Sequence, residues 1–302
     1  MEKKLQHLKM RKLKISDYNQ FKKLFFICFK KEISFQFFKW RYFSDKFSFC
    51  YGVFDLQKLI ANVGMVSTRL ANKKKDRIFS RHSSMVDPNY RGKGIFSKLL
   101  IEVKKIIKKN FFAIVMWPNK NNHSNFGFKN KNLIKKKLYI YETMPIKISS
   151  IKIKSIPISK LNEFKNYVFE GNSFFLKNLN YFNKRYLLYK KNEYILNKFN
   201  YKNFNSFFIF RYLKHNKENK YILLDHFGSN KIKKKHFSCL IKEKKKFIFL
   251  SKKKINNSYF KIINSLNFKL GTKNKIDLKK IKIFLENKDI FLGDTDNFIN
   301  LN

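Results

Sequence analysis

With 302 residues the chain is long enough for two domains, and its 44% hydrophobic and 18% aromatic content excludes a disordered protein. Its 68 Lys and Arg against 20 Asp and Glu give a net charge of +48, which fits a nucleic-acid or anionic-membrane partner. The lysines are nevertheless spread along the chain and accompany abundant Asn, Ile and Phe, as in AT-rich coding sequences. The charge therefore favours a solvated basic surface over a nucleic-acid site.

The cysteines and apolar runs indicate the compartment. Cys28, Cys50 and Cys239 are far apart and have neither zinc-ligand spacing nor the pattern of a disulfide framework. The longest apolar runs, 24–29 and 111–117, are far too short to span a bilayer, and no signal-like stretch follows Met1. We therefore expect a cytoplasmic protein with no metal and no membrane span.

The first 86 residues predict a strand, two helices and three further strands. Ser16 is the expected N-cap of the first helix, with Asp17 in its first turn. The predicted elements are strands at 8–13, 50–54, 59–70 and 77–86, helices from 17 and over 33–42, and turns at 55–58 and 73–75.

Residues 84–100 combine a strand end, a basic glycine loop and an amphipathic helix. Pro88 ends the strand, and Gly92 and Gly94 lack the Cβ atoms that would hold a ligand away from the backbone. From Ile95 onwards, apolar residues recur with helical spacing. Because the first turn of a helix has exposed N–H groups and the positive end of the dipole, the pattern predicts an anion site.

The loop has neither the G-x-x-x-x-G-K-[ST] pattern of a P-loop nor the G-x-G-x-x-G dinucleotide fingerprint. What remains resembles the acyl-CoA loop of the GNAT superfamily of N-acetyltransferases: Arg or Gln, two residues, Gly, one residue, then Gly or Ala. Arg91 and Gly94 match that pattern after a V-x-P-x-Y lead-in, and Phe96 fills the last small position. The alternative is an ordinary strand–turn–helix connection.

A buried strand at 111–116 follows the helix and ends at Pro118. This is the element order of the GNAT fold. The resemblance therefore implies an α/β (mixed α+β) fold, in which a mixed, mostly antiparallel twisted sheet has helices on both faces.

The second half of the chain repeats the first at shifts of 141–144 residues. The matches pair Ile15 with Ile158, Phe38 with Phe182, Arg41-Tyr42 with Arg185-Tyr186, Arg69 with Arg211, and Phe96-Ser97 with Phe237-Ser238. We predict two GNAT-like domains, 1–150 and 151–302, joined near 149–155. The segment 232–235 takes the place of the loop and contains no glycine, so one cofactor site is expected, in 1–150. The second domain would be degenerate and would act in packing or acceptor binding.

The resemblance implies acetyl-CoA as co-substrate and assigns its contacts. Pantetheine would run beside the end of the strand, where a backbone N–H also stabilises the oxyanion of the tetrahedral intermediate, and the loop amides would hold the pyrophosphate. The cofactor-binding candidates are Met85, Val86, Arg91, Gly92, Lys93, Gly94, Ile95, Phe96 and Asn119.

In GNAT enzymes the acceptor amine attacks the thioester directly, which requires a neutral amine. His82 lies four residues before Val86, and even spacing on a strand predicts that both share one face. An imidazole with a pKa of about 6.5 suits a general base, and a structural histidine is the alternative.

Many family members use a tyrosine to protonate the leaving thiolate, but Phe126 occupies the nearest equivalent position. Tyr139 and Tyr141 are the substitute candidates. On the acceptor side, the substrate-binding candidates are Trp40, Arg41 and Tyr42, for which a structural role is the alternative.

Together these features predict an acetyl-CoA-dependent N-acyltransferase acting on a small amine. A nucleotide- or lipid-linked amino sugar is the preferred acceptor. One alternative is the same fold acting on a peptide or an aminoacyl-tRNA. Another is a non-catalytic module that binds CoA or a partner protein.

Overall fold

The protein, represented by a computed structural model, folds into two compact units. Unit 1 comprises Met1–Ile134 and Lys269–Leu278, and unit 2 comprises Lys135–Phe268 and Lys279–Asn302. The structure describes residues 7–70, 73–107, 113–116, 132–143, 154–170, 177, 179–187, 194–215, 218–229, 231, 233, 236, 237, 240, 247–251, 254, 255, 260–272, 279, 282 and 285. The predicted junction near residue 150 therefore lies almost entirely outside the described residues.

Unit 1 confirms the predicted order of strands and helices. Its elements are β1 (Leu8–Lys12), α1 (Tyr18–Phe29), α2 (Phe35–Phe43), β2 (Phe49–Asp55), β3 (Lys58–Leu70), β4 (Lys73–Val86), α3 (Ile95–Ile107) and β5 (Ala113–Met116).

Two local predictions in unit 1 are wrong. Residues 73–75 belong to β4 and form no turn, and Lys73 already pairs with Leu70 of β3. Asp17, and not Ser16, occupies the N-cap position of α1. The Asp17 carboxylate accepts two hydrogen bonds from the Arg11 guanidinium, at 2.7 and 2.8 Å, and one from the Lys14 amide at 2.6 Å. This ion pair joins β1 to the start of the helix.

The sheet of unit 1 is mixed and has helices on both faces, as predicted. Strands β1 to β4 are antiparallel, and β5 runs parallel to β4. Helices α1 and α2 pack on one face through side chains such as Phe21, Phe38 and Tyr42, and α3 packs on the other through Leu99 and Val103. The strand that closes the sheet comes from far along the chain, because the end of β12 (Phe260–Thr272) pairs antiparallel with β5.

Unit 2 has the same succession of strand pairings. Its elements are β6 (Leu133–Thr143), β7 (Lys154–Pro157), a 3-10 segment (Ile158–Glu170), α4 (Leu179–Phe182), a π-helical turn (Asn183–Leu187), β8 (Tyr194–Tyr201), β9 (Phe204–His215), β10 (Glu218–Gly228) and β11 (Phe247–Ser251). Strands β7 to β10 are antiparallel, β11 is parallel to β10, and β6 closes the sheet antiparallel to β11. None of the helices in the described parts of the chain is long and apolar enough to cross a membrane.

A buried polar cluster in unit 2 contains two histidines. The Ser206 hydroxyl lies 2.9 Å from His226 Nε2 and 2.9 Å from His236 Nδ1, and both rings are at most 1% exposed. Burial lowers the pKa of His236 to about 3. Burial, reinforced by the nearby charge of Lys233, also holds the pKa of His226 well below its ordinary value. Both rings are therefore neutral in the folded protein.

We predict that acidification destabilises unit 2 through these histidines. Between about pH 6.5 and the lowered folded pKa values the unfolded chain binds protons that the folded chain does not, so stability decreases as the pH is lowered. At about pH 5 the loss is roughly 2 kcal/mol for each ring. Urea unfolding between about pH 5 and pH 8 measures it. His236→Gln should remove about half of the pH dependence, and an unchanged slope in that variant would contradict the prediction.

Candidate active site

The glycine loop connects β4 to α3 and is open to solvent. Gly92 and Gly94 have φ values of +76° and +70°, in the left-handed region that side chains disfavour. A Cβ atom on either glycine would meet nothing within 4 Å. The Gly94 carbonyl accepts from the Lys98 amide at 3.1 Å, which begins α3. The amides of 95–97 therefore have no acceptor within the helix, and they lie at the open end where an anion can bind them.

The start of the loop is held by the turn between β2 and β3. The Asp87 carboxylate is buried and accepts from Lys58 Nζ at 2.8 Å and from the Asn89 amide at 3.1 Å. Although burial alone would raise the pKa of Asp87, these two donors outweigh it and keep the pKa below its ordinary value. Tyr90 donates to Asp55 at 2.6 Å. The sequence analysis missed this bracing, for which an aspartate directly before the loop proline is the available signal.

The backbone of Val86 is directed away from β3. Asp87 N–H donates to the Ile60 carbonyl at 2.8 Å, so the preceding Ala61–Val86 pair is a non-hydrogen-bonded pair of the ladder. The Val86 carbonyl instead accepts from Arg91 Nε at 3.2 Å and from Cys28 Sγ at 3.4 Å. Within the described residues, β5 pairs with β4 only as far as Arg81. The N–H of Val86 thus faces a flank of β4 along which an extended ligand can pair.

The side chains of the loop occupy distinct positions. Arg91 and Lys93 are exposed, and Lys93 Nζ donates to the Asn89 carbonyl at 3.1 Å. Ile95 is buried, and Phe96 packs against the core on the α3 side of the sheet. The phenylalanine at the last motif position is therefore turned inward and leaves the loop open. Asn119 lies outside the described residues, as does Phe126.

A bulge in β4 separates His82 from Val86. His82 pairs with Gly64, and Met85 pairs with Asn62. Between these two pairs β4 advances by three residues while β3 advances by two, which is a β-bulge. As a result Met85 joins the core on the α1–α2 side, whereas Val86 packs on the α3 side. The prediction that His82 and Val86 share a face is wrong, because the extra residue inverts the alternation.

The substrate-binding candidates of α2 lie on the face of the sheet that packs against α1 and α2, beside β4. Arg41 Nη2 lies 3.1 Å from both ring nitrogens of His82, so the guanidinium faces the imidazole. Trp40 is half-buried, with its ring 5.6 Å from the Arg41 guanidinium carbon. Tyr42 is 1% exposed and its hydroxyl is 2.6 Å from Ser83 Oγ. The structure thus gives Tyr42 a buried position and not a substrate-facing one.

Tyr139 and Tyr141 belong to unit 2. Tyr141 is fully buried, stacks on Phe249 with a centroid separation of 5.4 Å, and accepts the Ile255 amide at 2.6 Å. Tyr139 is partly buried against the same aromatic cluster. Among the described residues, no group of three or more His, Cys, Asp or Glu side chains could hold a metal ion.

Cys28 offers a chemical probe of the flank beside Val86. Burial raises the pKa of its thiol, an effect that the charge of Arg91 partly offsets. We therefore expect N-ethylmaleimide to modify Cys28 slowly at neutral pH and faster as pH rises, since the thiolate is the reactive form. The adduct should block acetyl-CoA binding, and bound acetyl-CoA should protect the thiol.

Mass spectrometry of the modified peptide and calorimetric titration with acetyl-CoA measure both effects. Cys28→Ser is the matched control and should bind acetyl-CoA with or without the reagent. Full affinity after complete modification of Cys28 would show that the ligand does not pass this flank.

The comparisons with known proteins agree with this geometry. The pattern of the acetyltransferase (GNAT) domain matches residues 9–120. Among solved structures, a GCN5-related N-acetyltransferase from Anabaena variabilis is similar, with a TM-score of 0.67, 11% identity, and coverage of 89% of this chain and 74% of that one. A conserved protein of unknown function from Enterococcus faecalis has a TM-score of 0.65 and 10% identity, over 89% and 74% of the two chains.

Eis1 from Mycobacterium abscessus is also similar, with a TM-score of 0.59 and 10% identity over 88% of this chain and 73% of that one. No curated protein matches the sequence. At these identities the solved structures establish the fold, and the domain pattern covers the strands, the glycine loop and the helix described above. Residues 9–120, which lie in unit 1, therefore match the acetyltransferase (GNAT) domain, and the chain shares the fold of these solved structures.

Proposed function

We propose that the protein transfers the acetyl group of acetyl-CoA to the primary amine of a small acceptor. The observation that carries the proposal is the open loop at Gly92 and Gly94, which directly follows a strand end whose backbone faces away from its neighbour. GNAT domains generally use acetyl-CoA, and a diphosphate fits a site made of helix N-terminal amides.

Different groups of the chain are proposed to bind different parts of acetyl-CoA. The amides of 92–97 hold the pyrophosphate, and Arg91 and Lys93 add positive charge beside it. The pantetheine arm pairs with the backbone at Met85 and Val86. A backbone N–H there donates to the oxyanion that develops on the thioester carbonyl. Asn119 is retained as a further cofactor contact.

The proton transfers are assigned to a smaller set of groups. His82 is the proposed base that takes a proton from the amine, and Arg41 beside its ring holds it in place. The thiolate of CoA has a conjugate-acid pKa of about 8.5, so it can leave without a protein acid.

We propose a nucleotide- or lipid-linked amino sugar as the acceptor, because the basic surface attracts an anionic carrier. Trp40 and Arg41 are the proposed acceptor contacts. Unit 2, whose strands pair in the same succession, is proposed as a degenerate second copy that serves in packing or acceptor binding. The sparse cysteines support a cytoplasmic location.

The deciding experiment incubates purified protein with acetyl-CoA and a panel of amines and follows the free CoA thiol. Thiol release with amino-sugar nucleotides supports the proposal. Thiol release only with aminoacyl-tRNA or peptides would indicate the same reaction on a different acceptor. With an RNA acceptor, the affinity should also fall steeply as the salt concentration rises. Acetyl-CoA binding without release on any amine would indicate a non-catalytic module.

A further inference from the structure

One residue of β4 has a backbone conformation that strands rarely contain. Ser83 has a φ of +42°, in the left-handed region where a side chain is disfavoured. It lies within the bulge between His82 and Met85, where β4 carries one residue more than β3. Such a conformation persists only where surrounding contacts hold it.

A hydroxyl from α2 holds the side chain of Ser83. Tyr42 is 1% exposed, and its hydroxyl lies 2.6 Å from Ser83 Oγ. The ring lies directly on β3, because a Cβ atom on Gly64 would come within 2.5 Å of it. Burial raises the pKa of Tyr42, so the hydroxyl keeps its proton. The ring is thus fixed by packing and the hydroxyl by its bond to Ser83.

A second contact holds the backbone of the same residue. Asn62, which is fully buried on β3, donates from Nδ2 to the Ser83 carbonyl at 3.0 Å. Ser83 is therefore held at its side chain from α2 and at its carbonyl from β3. We call Tyr42, Asn62 and Ser83 the bulge clamp.

The bulge decides which groups the end of β4 presents. Without the extra residue, every side chain after Ser83 would exchange faces, and Met85 and Val86 would swap positions. The Val86 carbonyl would also lose the geometry in which it meets Arg91 and Cys28. The direction of the last backbone amides of β4 thus depends on Ser83 keeping its left-handed conformation.

We propose that Tyr42 is a positioning residue for acyl transfer. Its hydroxyl keeps Ser83 left-handed, so that the backbone of Val86 points at the place of the thioester carbonyl. This inference rests on the proposed function, since it names a residue that acts through the backbone on that same site.

The same kind of contact occurs in unit 2. Tyr186, which the sequence repeat pairs with Tyr42, donates from its hydroxyl to Asp225 on β10. Asp225 stands where the register of β10 against β9 shifts. Each unit thus joins a helical tyrosine to an irregular point of its fourth antiparallel strand, and Tyr186 offers a matched control for Tyr42.

Four variants test the proposal in the full chain. Tyr42→Phe and Ser83→Ala each remove the hydrogen bond and should lower kcat at least about tenfold, as misplaced reacting groups do. Kd for acetyl-CoA should change little, because the loop amides still bind the diphosphate. Ser83→Gly adopts a positive φ without help, so it should keep kcat near wild type. It should also restore kcat when combined with Tyr42→Phe.

A second readout does not require turnover. Amide hydrogen exchange at 84–86, measured without ligand, should accelerate in Tyr42→Phe and return to the wild-type rate in the double variant. Tyr186→Phe should alter neither this exchange nor kcat. The inference is overturned if Tyr42→Phe leaves both kcat and the exchange unchanged, if glycine at position 83 fails to restore them, or if Tyr186→Phe has the same effects. If the wild type releases no thiol with any amine, the proposed function fails while the exchange data still decide whether the clamp exists.

Discussion

Gly94→Glu is expected to weaken acetyl-CoA binding at least about 100-fold. The new carboxylate would stand at the start of α3, beside the amides proposed to hold the pyrophosphate. Two unit charges about 4 Å apart near a protein surface interact by about 4 kcal/mol. Salt reduces that value, and every 1.4 kcal/mol that remains is about tenfold in Kd. Isothermal titration with acetyl-CoA measures the loss.

Gly94→Gln is the matched control, because it has nearly the same size and the same left-handed backbone cost without the charge. Since a Cβ at this position meets nothing within 4 Å, both variants should fold. The Gly94→Gln variant should therefore bind acetyl-CoA much more tightly than Gly94→Glu does, and the difference in affinity should shrink as the salt concentration rises. If Gly94→Glu bound acetyl-CoA with wild-type affinity, the diphosphate would have to bind somewhere other than this loop.

Asp225→Ala is expected to destabilise unit 2 by about 3–5 kcal/mol. Asp225 is fully buried, with Lys177 Nζ bonded to Oδ1 and the Tyr186 hydroxyl to Oδ2. The Tyr181 hydroxyl also donates to Oδ2, at 3.2 Å. Removing the carboxylate leaves a buried ammonium without its counter-ion and two hydroxyls without their acceptor, and each loss is costly in the interior. Urea unfolding at neutral pH measures the change.

The pair Lys160–Glu163 provides the control, because it is an exposed ion pair of unit 2 with a separation of 3.9 Å. Glu163→Ala should cost less than about 1 kcal/mol. Adding Lys177→Met to Asp225→Ala removes the stranded charge and should recover part of the stability. Equal losses at Asp225 and Glu163 would contradict the view that burial sets the cost.

The features that were predicted correctly depend on residues that are close together in the sequence. Helix α3 follows from the apolar spacing after Gly94, and the open loop follows from the two glycines. The bulge could not be found in this way. Even spacing assumes a regular strand, whereas Ser83 is held by Tyr42, which lies about 40 residues earlier and whose ring packs on Gly64.

The closing strands were missed for the same physical reason. Strand β12 pairs with β5 across some 150 residues of sequence, and no local pattern marks which edge a strand will join. The contact of Lys58 with Asp87 similarly depends on the pairing of β3 with β4, which brings the β2–β3 turn next to the start of the glycine loop. Long-range pairing, and not local propensity, thus fixes the parts of the site that the analysis of the chain did not find.

The strand that pairs with β5 also bears on how the protein is made. Because residues 269–272 complete the pairing of β5, that pairing cannot form until the ribosome has synthesised the chain as far as residue 272. Until then β5 presents an unpaired edge of four buried apolar residues, Ala113–Met116, which is the kind of surface that aggregates or recruits chaperones. A recombinant fragment that stops at residue 150 would keep that edge permanently, so an expressed form of unit 1 needs residues 269–272 as well.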